Sequence, residues 1–311
     1  MQFAGSHILS IAQFERPDVE QLFAVADRMQ PYAHRRRATK VLDGAILGAM
    51  FFEPSTRTRV SFGSAFNLLG GEVRETTGHP QEGSVAEFAA ASRVPVLNGG
   101  DGSNEHPTQA LLDLYTIKKE LAGRGRGIDQ LRIAMVGDLR FGRTVHSLCK
   151  LLCLFDGIQV VLVSPEELRM PPAIVEQLRT AGHQVLESEA LEASISNVDI
   201  VYSTRIQEER FSSQQEADLY RGRFRLNQSI YTEHCEPNTV IMHPLPRDSR
   251  VTARELDDDL NDNPNLAIFR QTDNGVLVRM ALFALVLDVA DQVDSHARDV
   301  NWYTGGRFDV L

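Results

Sequence analysis

Arg132-Ile133-Ala134-Met135-Val136-Gly137-Asp138-Leu139-Arg140-Phe141-Gly142-Arg143-Thr144-Val145-His146 is the stretch on which the fold turns. A short apolar run from Arg132 to Val136 stops at a glycine, and a helix-length segment, Gly142 to Phe155, follows it. This strand, glycine, helix layout belongs to an α/β unit. The G-x-G-x-x-G spacing of a dinucleotide turn is absent, which argues against nicotinamide binding. Arg143, at the helix start, is instead placed to fork onto a carboxylate.

Outward from this stretch the same alternation recurs. Apolar runs lie at Ala45 to Phe52, Val94 to Asn98, Gln159 to Val163, Asp199 to Tyr202, Val240 to Met242 and Leu266 to Phe269. Helix-length segments separate most of them, among them Pro107 to Leu121 and Pro172 to Ala181, and Asp18 to Met29 reads as an amphipathic surface helix ahead of the first run. Strands alternating with helices predict α/β architecture with two doubly wound domains and parallel sheets. The glycines of Ala122 to Gly127 mark a linker, so the expected domains are 1–123 and 124–311, with a C-terminal helix over 275–290 packing back on the first. In such sheets ligands bind beyond the carboxyl ends of the strands, and the polar residues just after each run are the candidates.

Composition narrows the function classes. The chain has 311 residues, 42% hydrophobic and 24% charged, with a net charge of -10, which disfavours a broad grip on nucleic acid or anionic membrane. Three cysteines, Cys149, Cys153 and Cys235, lack CxxC spacing and suggest neither a disulfide framework nor a zinc ribbon. The longest apolar run, Met280 to Leu287, reads as a buried helix rather than a membrane span, and the expected location is the cytoplasm.

Four stretches carry chemistry. Phe51-Phe52-Glu53-Pro54-Ser55-Thr56-Arg57-Thr58-Arg59 follows a strand and opens a helix. Unpaired first-turn amides, hydroxyls and a guanidinium suit a phosphate dianion, and equally an over-capped helix with a solvated arginine. Gly99 to Gln109 sets His106 and Gln109 at the start of the next helix, where an imidazole can donate to an oxyanion or merely cap a turn. Ser203-Thr204-Arg205-Ile206-Gln207 adds a second cation and an amide at a strand end, so Arg205 with Arg143 fits a substrate bearing two carboxylates. Met242-His243-Pro244-Leu245-Pro246-Arg247 is stiff and poor in N–H groups, a loop whose carbonyls suit an NH2 group or a purely structural turn.

Taken together and in this order, these stretches resemble the aspartate/ornithine carbamoyltransferase family, and its aspartate branch in particular. The motifs are F-F-E-P-S-T-R-T-R, H-P-Q-E-G (His79 to Gly83), Val96 to Ile117, Gly137 to Leu148 and H-P-L-P-R (His243 to Arg247). The resemblance implies a site in the cleft between two domains. Ser55, Thr56, Arg57 and Thr58 would hold the phosphate of carbamoyl phosphate, with Thr58 and His106 reaching its carbonyl oxygen. Gln109 and the carbonyls of Pro244 and Leu245 would hold its NH2, and Arg143, Arg205 and Gln207 the carboxylates of aspartate. Arg57, Thr58 and His106 are the expected catalytic residues. The implied reaction is attack of the aspartate amine on the carbonyl carbon, without metal or cofactor, in a homotrimer. The implied partners are a regulatory chain, an active paralogue or dihydroorotase, with no nucleic acid and no membrane.

One departure is expected. If Thr56 to Leu69 is helix, only Gly70 to Gly78 precede His79, enough for one strand and too few for a strand, crossover helix and second strand. The resemblance implies roughly thirty more residues here, about one βαβ addition. They would carry a Ser and a Lys donated to a neighbouring subunit, and an arginine that falls on Gly78. Arg74 is a candidate substitute. The rival expectations are a non-catalytic scaffolding paralogue and a carbamoyltransferase with another acceptor.

Overall fold

The computed structural model describes every residue except 53–54, 77–83, 103, 209–210, 212, 214, 216–217, 251 and 302–311. Glu53 and Pro54, Gly78, the H-P-Q-E-G motif, Ser103 and the Trp302-Tyr303 pair lie outside the described residues. Along the chain the elements begin with α1 (Arg16–Arg28), α2 (Gln30–Ala33), β1 (Arg37–Thr39), β2 (Ile46–Met50), α3 (Thr56–Leu68), β3 (Glu72–Thr76), α4 (Val85–Ala91) and α5 (Pro107–Ala122). They continue with β4 (Arg132–Val136), α6 (Arg143–Leu152), β5 (Gln159–Val163), α7 (Pro172–Thr180), β6 (Gln184–Ser188), α8 (Leu191–Ile195) and β7 (Ile200–Ser203). The last are α9 (Gln228–His234), β8 (Val240–Met242), α10 (Ile268–Val286) and β9 (Ala297–Asp299).

Two compact units result. One comprises Met1–Gly102, His106–Leu112 and Thr272–Leu311; the other comprises Ser103–Glu105 and Asp113–Gln271. The division falls inside α5, before the glycine-rich stretch that the sequence marks, because α5 is one unbroken helix whose turns pack in different units.

The second unit is built on a five-stranded sheet in the order β6-β5-β4-β7-β8, and every pairing is parallel. Its inner strands are largely apolar: Ile133, Ala134, Met135 and Val136 of β4 are buried, as are all four residues of β7. Parallel strands covered on both faces need such continuous runs. From β4 the chain steps outward through β5 to β6, then returns to β7 on the other side of β4. The order therefore reverses between β4 and β7, the position where open α/β sheets bind ligands.

In the first unit β2 and β3 pair in parallel, from Ile46 opposite Glu72 to Met50 opposite Thr76, with α3 as the crossover. Helix α3 buries Phe62, Ala65 and Phe66. The Phe62 and Phe66 rings meet Phe283 of α10 edge-on, at 6.0 and 4.9 Å between centroids. The doubly wound layering expected of this unit is reduced, among the described residues, to this single parallel pair and the antiparallel pair β1–β9.

Two expected strands are absent. Val94 to Asn98 makes only one isolated parallel bridge, Leu97 with Ile8, since Pro95 interrupts the ladder with a residue that has no N–H to give. Leu266 likewise bridges Ile241, and the run then turns into α10 at Ile268. Among the described residues no helix is long and apolar enough to cross a membrane. Cys149 lies in the core against the Met135 sulfur, and burial pushes its thiol pKa up.

Candidate active site

In the second unit, β4 ends at Val136 and the chain turns through Gly137 (φ +117°). A Cβ on Gly137 would stand 2.1 Å from the Thr204 carbonyl oxygen, so only glycine lets the ends of β4 and β7 come this close. The next residue, Asp138, is fully buried. Its Oδ1 accepts from the Phe141 backbone N–H at 2.9 Å and its Oδ2 from the Gln207 backbone N–H at 3.0 Å. One carboxylate thus fixes the turn that leads into Arg143 and the segment that holds Arg205 and Gln207. A ring nitrogen of His146, one turn into α6, lies 2.7 Å from the Leu139 carbonyl oxygen and tightens the same turn; burial lowers the His146 pKa, so the imidazole is held neutral.

Arg143 is the first residue of α6, and Arg205 and Gln207 follow β7 directly. All three are partly exposed at the carboxyl ends of adjacent strands. The H-P-L-P-R loop leaves β8, the next strand over. Pro244 and Leu245 are half-buried there. The Leu245 N–H donates to His243 Nδ1 at 2.8 Å, which holds Leu245 at φ +59°, a conformation that costs a non-glycine residue about 1–2 kcal/mol. His243 Nε2 lies 2.8 Å from Glu255 Oε1, off the line of a hydrogen bond.

In the first unit Ser55 takes the N-cap position of α3 without bonding a first-turn amide through its side chain. The capping that would make these hydroxyls purely structural is therefore not what Ser55 does. Thr56 and Arg57 are exposed and Thr58 partly so. The second stretch packs beside the first: a Cβ on Gly99 would stand 3.3 Å from the Phe51 ring and 3.4 Å from that of Phe62. Asn98 braces this turn, donating to the Leu9 carbonyl and accepting from Gly100 N–H. His106 is buried just before Pro107 opens α5, and its carbonyl accepts from the N–H groups of Gln109 and Ala110.

The structure thus collects Arg143, Arg205, Gln207, Pro244 and Leu245 at one end of one sheet, and Ser55 to Thr58 with His106 and Gln109 in the other unit. Asp138 is not among the candidates that the sequence motifs mark. Its signal was available, since it is the first side chain after the glycine that ends β4.

Comparison with known proteins gives consistent results. The profile described as "Aspartate/ornithine carbamoyltransferase, Asp/Orn binding domain" matches residues 129–286, and that described as "Aspartate/ornithine carbamoyltransferase, carbamoyl-P binding domain" matches 6–86 and 73–119. The chain is 69% identical to the aspartate carbamoyltransferase catalytic subunit of Saccharophagus degradans, over 99% of this chain and 100% of that one. Among solved structures it resembles the catalytic subunit of M. jannaschii aspartate transcarbamoylase at a TM-score of 0.81 and 36% identity, covering 93% of this chain and 99% of that one. It also resembles aspartate transcarbamoylase from Trypanosoma cruzi in complex with carbamoyl phosphate and aspartate, at a TM-score of 0.82 and 33% identity, covering 92% and 98%.

Proposed function

The chain belongs to the aspartate/ornithine carbamoyltransferase family, and from that premise we propose that it transfers the carbamoyl group of carbamoyl phosphate to L-aspartate, giving N-carbamoyl-L-aspartate and phosphate in pyrimidine biosynthesis. The observation that carries the choice of a dicarboxylate acceptor is the pair of segments bearing Arg143, Arg205 and Gln207, tied to one buried carboxylate at the reversal point of the sheet. In this reading 1–123 is the carbamoyl-phosphate-binding domain, with helix 275–290 added to it, and 124–311 is the aspartate-binding domain.

Ser55, Thr56, Arg57 and Thr58 take the phosphate at the start of α3, where amides and guanidinium meet negative charge. Arg57, Thr58 and His106 withdraw charge from the carbonyl oxygen as it becomes an oxyanion. Gln109 and the carbonyls of Pro244 and Leu245 hold the NH2, while Arg143, Arg205 and Gln207 hold the two aspartate carboxylates. The amine lone pair attacks the carbonyl carbon and the C=O electrons move to oxygen. They then return and expel phosphate, which leaves with the C–O electron pair and takes up the amine proton. No group here forms a covalent bond to substrate, so rate comes from positioning and charge stabilisation.

The same reading includes an internal deletion between Gly70 and His79. The alignment with the Saccharophagus degradans subunit runs over 337 positions and this chain has 311 residues, so at least 26 positions have no residue here. The carbamoyl-phosphate-binding profile is matched in two pieces that overlap at residues 73–86, as expected where two distant parts of a profile meet at one junction. Among the described residues the first unit's parallel sheet has two strands, and Ile46 of β2 is 63% exposed. The missing segment is where the family's shared Ser and Lys and the arginine at the Gly78 position would lie, and the homotrimer belongs to this proposal.

These observations also favour a second reading, a scaffolding paralogue that keeps the ligand pocket. One assay separates the two: purified protein is incubated with carbamoyl phosphate and aspartate, and carbamoyl-aspartate is measured. Product above the uncatalysed rate supports the enzyme; none, with ligand binding intact, supports the paralogue.

A further inference from the structure

Behind the H-P-L-P-R loop lies a buried polar chain that the mechanism above does not use. Asp113 of α5 is fully buried, and so is Tyr202 of β7; Gln271, in the first turn of α10, is 2% exposed. Asp113 Oδ2 accepts from the Tyr202 hydroxyl at 2.6 Å, and Asp113 Oδ1 accepts from Gln271 Nε2 at 2.6 Å. Gln271 Oε1 in turn accepts from the backbone N–H of His243 at 3.0 Å.

The chemistry of the two ends fixes the middle. A carboxylate only accepts, so it must face the amide nitrogen of Gln271; a backbone N–H only donates, so it must face the amide oxygen. Asp113 therefore sets which way Gln271 points, and Gln271 sets where the loop leaves β8. Burial and the neighbouring Asp113 push the Tyr202 pKa well above its ordinary value, which keeps the hydroxyl a donor to Asp113. From His243 the constraint passes to the next part of the loop, because the His243 ring holds the Leu245 N–H.

We propose that Asp113 and Gln271 are positioning residues that hold the loop so that the Pro244 and Leu245 carbonyls meet the carbamoyl NH2. This rests on the proposed assignment of those carbonyls to the NH2 of carbamoyl phosphate. A loop that grips the NH2 discriminates carbamoyl phosphate from inorganic phosphate, and the relay acts on that discrimination alone.

The test compares wild type with Gln271→Leu, Gln271→Met, Asp113→Leu and Asp113→Asn. Affinities for carbamoyl phosphate and for inorganic phosphate are measured by calorimetry, and amide exchange at His243 and Leu245 by NMR. Gln271→Leu, Gln271→Met and Asp113→Leu are expected to weaken carbamoyl phosphate about five- to tenfold, the scale of one lost hydrogen bond, with phosphate unchanged. Exchange at Leu245, whose N–H bonds to the His243 ring, accelerates in the same three variants. Asp113→Asn, whose amide oxygen still accepts from Gln271, retains most of the discrimination. The Met variant, unbranched and close to Gln in length, keeps the test open should Leu fail to fold. Unchanged exchange at Leu245 overturns the proposal by removing Gln271 from the loop. Accelerated exchange with unchanged carbamoyl phosphate affinity overturns it differently, by removing the loop from the NH2. Parallel loss of both ligands overturns it as a general folding defect.

Discussion

The carboxylate of Asp138 accepts the backbone N–H of Gln207 at 3.0 Å. Through this bond a residue at the end of β4 holds the segment that follows β7, and its other oxygen holds Phe141 in the turn before Arg143. Removing the carboxylate leaves two N–H groups without their acceptor, each costing about 1–3 kcal/mol. Asp138→Ala is therefore expected to weaken aspartate or succinate at least about tenfold while phosphate affinity stays unchanged, as read by calorimetry. Intact dicarboxylate affinity in the variant would show that the two segments hold their geometry without Asp138.

Arg205→Ala is expected to weaken a dicarboxylate ligand far more than carbamoyl phosphate. A charge-assisted bond to a carboxylate contributes about 1.5–3 kcal/mol, equivalent to a rise in Kd of roughly 10- to 150-fold. Arg205 sits beyond β7 in the second unit, whereas the residues proposed to hold phosphate sit at the start of α3 in the first. Equal losses for both ligands would point to misfolding instead.

Phosphate binding at α3 is tested by Arg57→Ala. Ser55 does not spend its hydroxyl on capping, and Arg57 is exposed one position into the first turn. Loss of the guanidinium is expected to reduce phosphate affinity at least about tenfold in calorimetry, with the unfolding midpoint unchanged. Equal affinity in the two proteins would remove this loop from the phosphate site.

Asp199 gives a pH dependence of stability. Burial works to raise its pKa, but hydrogen bonds from Arg132 and Arg126 outweigh that and hold it at about 2, against an ordinary value of 3.8. A carboxyl depressed in the folded state stabilises the protein above its unfolded pKa, and that contribution is lost as the pH falls toward the folded one. The stability difference between wild type and Asp199→Asn is expected to be on the order of 2 kcal/mol at neutral pH, to hold down to about pH 5, and to shrink between about pH 4 and pH 2. Denaturant titrations across this range measure it. A difference that grows on acidification would contradict the assignment.

How much of this was legible beforehand depended on burial. The inner strands β4, β5 and β7 announce themselves because a parallel strand covered on both faces is mostly apolar, and β8, at one edge, does so because Val240, Ile241 and Met242 are all buried. The edge strand β6 does not: Gln184-Val185-Leu186-Glu187-Ser188 is mostly solvent-facing, pairs on one side only, and lacks a continuous run. Of the proposed site residues, Arg143, Arg205 and Gln207 are legible as candidates because they lie in the segments that follow strand ends. Asp113, Tyr202 and Gln271 are not, because a chain of single hydrogen bonds between distant positions has no spacing to read. Arg74, a candidate substitute for the cation that the proposed deletion would remove, is exposed on β3 and paired with Glu72 at 2.8 Å.

That pairing shapes the final prediction, which concerns the segment between Gly70 and His79. In the proposed reading the phosphate hydroxyls, His106, Arg143 and Arg205 all remain, so substrates bind; what is lost is charge neutralisation in the transition state. Interactions made only there act on turnover more than on affinity. Each such loss costs about 10² to 10³ in rate, and Arg74 is already engaged with a neighbour on its own strand. The unmodified protein is therefore expected to show very low kcat with near-normal carbamoyl phosphate affinity. Inserting a family-like loop after β3, with an arginine at the Gly78 position and the Ser and Lys that reach a neighbouring subunit, is expected to raise kcat at least about a hundredfold. The gain should appear only in preparations that form trimers, because two of the restored side chains act in the next subunit. Sedimentation and steady-state kinetics on the same samples check both halves. High turnover in the unmodified protein would defeat the argument and mean that Arg74 or another cation stands in for the lost ones.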